Sequence, residues 1–349
     1  MRLEPRGRSP LWLGLAAPAG AVVAALVLCS VLIVWAGKPV LTAYGLGLEG
    51  ALGSRFAITE TLTRATPLLF TGLAIAVAFR ARLWNIGAEG QLFAGAIAAS
   101  WLGTGLLPLP APLLVPVLFL AGALAGGLLL LGPALMKLKL QVDEVVTTLL
   151  LNFVLILLVD WLIFGPWKDP MALGWPQGPP VVPEARLAKL LARSSVHAGL
   201  VIGIVLAALT WLLIRFTAFG YEIRAVGHNP RASAFAGIPV DGVMVRTALL
   251  SGGLAGMAGV SELLGFKGYL TTDLSPGFGY AGIAVAMLAA LNPLGVIASA
   301  LFIAGFYVGA DSMSRKLEVS SYIADVISAT ALLCVLASLL LVRYRIRWR

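Results

Sequence analysis

The chain has 349 residues, 60% of them hydrophobic and only 12% charged, with a formal net charge of +9 and a mean hydropathy of +0.96. So few charges cannot cover the apolar surface of a soluble protein of this length, which excludes a soluble globular class and indicates a membrane-embedded one. The excess positive charge is a topology and anionic-lipid signal rather than a nucleic-acid footprint, so no nucleic acid is expected as a partner.

Apolar runs long enough to cross a bilayer, which takes about 20 helical residues, recur along the whole chain. They predict an all-α polytopic membrane protein of about ten transmembrane helices, over 11–36, 64–80, 87–107, 112–136, 143–165, 197–216, 243–265, 279–292, 293–311 and 321–343. The first run is too long for the apolar core of a cleaved signal peptide and is expected to stay as an anchor. Cys29 and Cys334 fall inside spans without metal-ligand spacing, so neither a disulfide framework nor a zinc site is indicated.

Lys and Arg concentrate at one end of these spans: Arg2, Arg6 and Arg8, Arg80 and Arg82, Lys137 and Lys139, the arginines of 215–246, and the C-terminal run ending at Arg349. The positive-inside rule places that end, with both termini, in the cytoplasm. The segment 183–193, PEARLAKLLAR, is basic yet extracytoplasmic, and it is expected as an amphipathic helix on the outer membrane surface. It belongs to the proline-rich extracytoplasmic loop 166–196, the longest interspan segment and too short to bury a core of its own, so 1–349 reads as a single transmembrane domain. Spans two to five and seven to ten form two blocks that begin on opposite faces of the membrane, an inverted repeat.

Between the second and third spans, NIGAEGQ places Asn85, Glu89 and Gln91 beside or inside the bilayer. Ionisable groups at such depth face protein or a water-filled path. An interfacial helix cap, with Glu89 complementing the helix dipole, is the alternative. The fifth span opens QVDEVVTTLLLNF, where Asp143 fits an N-cap and Glu144, Thr148 and Asn152 recur every fourth residue on one face. For Thr148 and Asn152, helix-to-helix hydrogen bonding and a translocation path fit equally well; Glu144 reads as interfacial.

The polar loop 215–242 carries its own short helix: Asn229 as N-cap, Pro230 where a missing N–H is tolerated, and Gly237 as the left-handed residue that ends it. Arg231 and Phe235 lie on that helix, which is expected to dock on a partner. In the second half, Pro276, Gly277, Gly279 and Gly282 are expected to break the chain before a short, broken or re-entrant helix near 279–292. Phe278 and Tyr280 would then stand near the outer mouth, where aromatic faces could stack on a ring-shaped solute. Glu262 could pair with Lys267 or bond the solute. Glycines four apart, Gly122 with Gly126, Gly199 with Gly203, Gly252 with Gly256 and Gly305 with Gly309, suit close helix packing. No phosphate-binding G-x-x-x-x-G-K-[ST] loop and no nucleophile elbow occurs, so an enzyme is not expected and any ATP must bind a separate subunit.

At these residues the chain resembles the permease subunits of bacterial ABC importers for nucleosides, within the broader group that includes ribose and branched-chain amino acid permeases. NIGAEGQ at 85–91, DEVVTTLLLNF at 143–153, RAVGHNPRASAFAGI at 224–238 and GYAGIAVAMLAALNPLG at 279–295 follow in the family's order. Departures are Ser233 for alanine, Phe235 for tyrosine, Asp143 for asparagine, and Lys267. The resemblance implies a small-molecule importer of the cytoplasmic membrane in which no cofactor binds this chain and ATP and Mg sit on a cytoplasmic ABC ATPase. It implies a second permease subunit, a heterodimer being favoured over a homodimer, and an extracytoplasmic solute-binding lipoprotein. The loop 215–242 becomes the coupling loop, with Asn229, Pro230, Arg231, Phe235 and Gly237 seating in the ATPase. Asn85, Glu89, Gln91, Glu144, Thr148, Asn152, Glu262, Phe278 and Tyr280 become the pathway. The alternatives are the same machinery carrying a pentose or other simple sugar, an ATP-independent secondary transporter or channel using Glu89 and Glu144, and a non-transporting scaffold.

Overall fold

The structure, a computed structural model, describes residues 2–5 and 11–347; Arg6, Arg8 and Arg349, counted above among the orienting basic residues, lie outside the described residues. In chain order the elements are β1 (Arg2–Pro5), α1 (Leu11–Trp35), α2 (Val40–Leu52), α3 (Arg55–Arg80), α4 (Ala88–Gly103), α5 (Ala111–Leu135), α6 (Glu144–Phe164), α7 (Gly199–Phe216), α8 (Ala218–His228), α9 (Pro230–Phe235), α10 (Val240–Glu262), α11 (Phe278–Leu288), α12 (Pro293–Leu317), α13 (Ser321–Arg343) and β2 (Tyr344–Arg347). The chain is a polytopic helical membrane protein. Among the described residues six helices, α3, α5, α6, α7, α10 and α12, are long and apolar enough to cross a membrane, and α1 with α2, bent by 116°, makes a seventh if the two count as one span.

Each expected span falls on a helix, with shifted bounds. The second begins at Arg55 rather than 64, and the third covers 88–103 rather than 87–107. At 16 and 11 residues, α4 and α11 are shorter than the ~20 a crossing takes. The expected helix over 183–193 is absent. A 3-10 turn at Pro183–Ala185 is followed by irregular chain, with Arg193 in the left-handed region and a bridge from Lys189 to His197. The reason lies in the backbone donors: within the segment Leu187 donates to the Leu264 carbonyl at 3.0 Å and Leu190 to that of Val196 at 2.9 Å, while just before it Val181 and Val182 are tied to the carbonyls of Gly268 and Gly103, both at 2.9 Å. A strap pinned at these points cannot also close helical hydrogen bonds.

Two compact units compose the chain. In the unit of Met1–Thr61 and Leu301–Arg349, Cys29, Ile33, Ala43, Met313 and Ile327 form the core. Its two short strands pair antiparallel, Arg2 opposite Arg347, a feature the all-helical expectation lacks. In the unit Leu62–Ala300, α5 and α10 cross backbone to backbone: a Cβ on Gly126 would lie 2.3 Å from the Gly252 carbonyl oxygen, and one on Gly256 would lie 2.1 Å from that of Gly122. Side chains are therefore excluded at this crossing, and dispersion between backbones replaces hydrophobic side-chain burial as its glue. The pairs at 199/203 and 305/309 do not meet each other; Gly199 packs on Ser261 and His197, and Gly203 on Leu69 and Phe70.

Candidate functional site

After α3 the chain folds back beside it before starting α4. Asn85 fixes this reversal, since its amide exchanges two hydrogen bonds with Gln91, at 2.9 and 2.8 Å, and donates to Ser251 at 3.1 Å. Ser251 in turn donates to the Ala74 carbonyl at 2.7 Å. Ala74 lies six residues before the end of α3, about 9 Å along the helix, so the reversal is held level with the body of α3 rather than beyond its end.

The polar stripe of α6 holds that reversed backbone. The Asp143 side chain caps α6 by accepting from Val145 N–H at 2.8 Å. Then Glu144 accepts from Trp84 N–H at 3.2 Å, Thr148 from Ile86 N–H at 3.3 Å and Asn152 from Gly90 N–H at 2.8 Å, while Asn152 donates to the Ile86 carbonyl at 2.9 Å. Irregular backbone at membrane depth leaves donors and acceptors that lipid cannot satisfy, and these three side chains supply the partners. Glu144 also pairs with Lys137, which donates to the Arg82 carbonyl at 3.1 Å. Glu144 is thereby buried in an ion-pair and hydrogen-bond knot at the basic end.

Opposite the reversal stands the start of α11. Gly277 takes a left-handed φ of +94°, Ser275 accepts from Phe278 N–H at 3.0 Å, and the Phe278 carbonyl accepts from Thr71 at 3.0 Å. Gly279 and Gly282 lie inside α11, so they do not break it as expected; they make room. A Cβ on Gly279 would sit 2.2 Å from the Glu89 backbone nitrogen, and one on Gly282 2.7 Å from the Thr71 hydroxyl. The N-termini of α4 and α11 thus abut, and the buried Glu89 carboxylate lies between them, accepting from Gly279 N–H at 2.6 Å. A carboxylate placed at two helix N-termini compensates both positive ends. From this junction the helices run to opposite ends: the Gly103 carbonyl closing α4 meets the 166–196 strap, and Leu291 beyond α11 accepts from Arg80 Nε at 2.9 Å.

The structure brings together eight of the nine expected pathway residues: Asn85, Glu89, Gln91, Glu144, Thr148, Asn152, Phe278 and Tyr280. All are buried except Tyr280, which is 37% exposed and whose hydroxyl accepts from Asn152 at 3.2 Å. Phe278 is buried and presents no free face for stacking, unlike the expectation. Glu262 lies buried at the C-terminal end of α10, and Lys267 pairs with Asp273 at 2.7 Å rather than with Glu262. Burial would raise the Asp273 carboxyl, but hydrogen bonds from Lys267 and Thr271 and the lysine charge outweigh it and hold it below the usual range. Ser251 and Thr71 complete the cluster and were not legible beforehand. Hydroxyls in membrane helices commonly bond their own backbone, so their types alone carry no site signal.

At the basic end, α8 and α9 form an elbow. Thr217 caps α8 by accepting from Gly220 N–H at 3.0 Å, and Asn229 caps α9 by accepting from Ala232 N–H at 3.1 Å, with Pro230 at the first helical position. Gly237, at φ +82°, closes α9 in a Schellman arrangement: Ile238 N–H donates to the Ser233 carbonyl and Gly237 N–H to that of Ala234, both at 3.0 Å. α8 is tied down by Gly227, whose Cβ would lie 1.8 Å from the Arg80 carbonyl oxygen, and by the Glu222–Arg246 ion pair at 3.0 Å. The elbow thereby holds Arg231 and Phe235 outward, Phe235 at 95% exposure.

Residues 57–336 match the family model described as branched-chain amino acid transport system / permease component. The chain is 34% identical to the glucose ABC transporter permease protein of Haloferax volcanii, over 99% of this chain and 93% of that one. It is 32% identical to the guanosine ABC transporter permease protein NupP of Bacillus subtilis, over 92% of each, and 30% identical to the nucleoside ABC transporter permease protein NupB of Lactococcus lactis, over 76% and 75%. No solved structure matches the chain. With four-fifths of its length inside the family model, a re-entrant polar junction between two short helices and a capped helix held out at the basic end, this chain belongs to the branched-chain amino acid transport system permease family and is an ABC transporter permease subunit.

Proposed function

We propose that this permease imports nucleosides across the cytoplasmic membrane by alternating access, driven by a cytoplasmic ABC ATPase that binds ATP and Mg. The observation that carries this reading is α9, a capped surface helix whose Phe235 is 95% exposed. An aromatic held in water by two caps and an elbow is suited to a groove on another subunit. The coupling residues are Asn229, Pro230 and Gly237, which shape the helix, and Arg231 and Phe235, which face outward. ATP-driven closure of the ATPases would move α9, and α8 would pass that motion to α3 at Arg80.

The pathway in this proposal is the junction of α4 and α11. Glu89, Asn85, Gln91 and Asn152 hold the occluded arrangement, Tyr280 is its open edge, and Thr148, Glu144, Glu262 and Phe278 support its walls. A second permease, favoured as a different chain, completes the core, and an extracytoplasmic lipoprotein delivers the solute. The similarity to the guanosine and nucleoside permeases supports the nucleoside reading, and that to the glucose permease supports a sugar as the second reading. Uptake of labelled guanosine, cytidine, glucose and ribose in a deletion strain decides between them; saturable nucleoside uptake unaffected by excess sugar is expected, and competition by a sugar alone would overturn it. Phe235→Asp and Gly237→Pro should each abolish uptake while the protein stays in the membrane. Normal uptake in both would refute the coupling role of α9.

A further inference from the structure

At the basic end, a cavity of 540 Å³ opens between the ends of α3, α7 and α8 and the turn before α12. Its lining carries three arginines, Arg80, Arg215 and Arg224, and no acidic residue. The Arg80 guanidinium spends only its Nε on the Leu291 carbonyl, and Arg224 stands within electrostatic range of it. Arg215 lies over the Phe216 ring at 5.8 Å. Of the nearby acidic side chains, Glu222 on α8 is taken by Arg246, 3.0 Å away, and Arg224 has no hydrogen-bonding or ion-pairing partner among the described residues. Three cations converging on one cavity repel one another unless an anion joins them. The start of α12, with Asn292 and Pro293 in the same lining, adds the positive end of a 25-residue helix.

The remaining wall is apolar and continues along the membrane. Trp211 and Phe216 meet edge to face at 5.4 Å beside Ile214. Outward from Phe216, α7 exposes Leu212, Leu209, Val205 and Val201, spaced three and four apart, so a single apolar stripe leads from the cavity along the least buried of the long apolar helices. A free anion would use the arginines and leave the stripe idle; an anionic phospholipid uses both. The volume also suits a headgroup, lying within the roughly 300–1,000 Å³ of small-ligand sites. We propose that this cavity is a binding site for an anionic phospholipid, its phosphate held by Arg80, Arg215 and Arg224 and its acyl chains lying along the α7 stripe. The site is separate from the α4–α11 junction and does not depend on which solute is carried.

The test uses the solubilised transporter with its co-purifying subunits, delipidated and then titrated with phosphatidylglycerol, phosphatidylcholine or inorganic phosphate, with bound lipid read by native mass spectrometry. Phosphatidylglycerol should be retained and phosphatidylcholine should not, and the double variant Arg215→Gln, Arg224→Gln should weaken retention about thirtyfold, the effect of two cations on anionic-lipid affinity. Equal retention of both lipids, or a double variant that behaves as the wild type, would overturn the assignment. Inorganic phosphate that blocks phosphatidylglycerol at equal concentration would mean a soluble anion site and would overturn it too. Should the double variant not fold, Arg215→Gln alone, at an exposed side chain, should weaken retention about fivefold, wild-type retention overturning the assignment, and Arg215→Lys should restore most of it.

Discussion

At the residue scale, Glu89 shows how a site can be visible while its role is not. An ionisable group at membrane depth announces importance, but the sequence leaves a helix cap standing as the alternative to a path-facing role. The structure makes Glu89 the acceptor for the first turn of α11 while it sits in the first turn of α4, so one carboxylate faces the positive ends of two helices. Glu89→Gln keeps an acceptor for Gly279 N–H and loses only the charge, so it should cost about 1 kcal/mol. Gly279→Ala forces a methyl to within 2.2 Å of backbone, where side chains cannot yield, and should cost about 1–3 kcal/mol or part the two helices. Thermal unfolding of the purified protein should therefore rank Gly279→Ala below Glu89→Gln; the reverse order would mean that the carboxylate, not the close approach, holds the junction.

His197 is a second residue whose setting no pattern announced. It sits fully buried in the strap, its Nδ1 accepting from Gly199 N–H at 3.2 Å, and its ring fills the space that a Cβ on Gly265 would enter at 2.3 Å. Burial pushes its pKa down from 6.5 to about 4. The folded value is below the unfolded one, so its share of stability is present above pH 6.5 and is lost as the pH falls toward 4. Melting temperature should drop between pH 7 and pH 5, and His197→Gln should flatten that drop while lowering the whole curve. An unchanged slope in the variant would place the pH dependence elsewhere.

At the element scale, what the chain revealed was local. Caps act over three or four residues, so α9 could be read from Asn229, Pro230 and Gly237 before any tertiary contact was known. The strap at 183–193 misled for the opposite reason, because its helical spacing was real but Leu187 N–H was taken by Leu264, far off in sequence, and Leu190 N–H by Val196 beyond the segment. α8 went unread because 215–242 reads as a polar loop whose only complete set of start and stop signals belongs to α9, while the α8 cap, Thr217, follows directly on α7. The glycine pairs make the same point: four were visible, and only Gly122/Gly126 and Gly252/Gly256 face each other. A helix face is legible in sequence, whereas the object it faces is not. At that crossing Gly256→Leu should be far worse than Gly305→Leu, whose Cβ would meet nothing nearer than Thr61 at 3.7 Å. Expression of folded protein, followed by size-exclusion profile, measures the difference; equal profiles would show that the α5–α10 contact is dispensable.

At the scale of the whole molecule, side-chain bonds assign the helix ends without reference to a bilayer. Lys137 joins the α5–α6 turn to Arg82 after α3, Lys139 lies 3.9 Å from Asp241 at the start of α10, and Arg80 joins the α11–α12 turn to the end of α3. These turns therefore share one end with the α8–α9 elbow. The strap binds Gly103 at the end of α4 and Gly268 after α10, which fixes the opposite end. Antiparallel pairing of Arg2–Pro5 with Tyr344–Arg347 supports a single side for both termini. Positive-inside logic predicts that the lysine and arginine end is cytoplasmic, which thiol labelling tests. In a background with Cys29 and Cys334 replaced, Ala236→Cys should react with a membrane-impermeant thiol reagent only in inverted vesicles, and Leu173→Cys, fully exposed in the 166–196 loop, only in intact cells. Reporters fused to either terminus should both fall on the Ala236 side. Labelling of both cysteines from one compartment would break the two-ended assignment, and a split between the terminal reporters would break the pairing of β1 with β2.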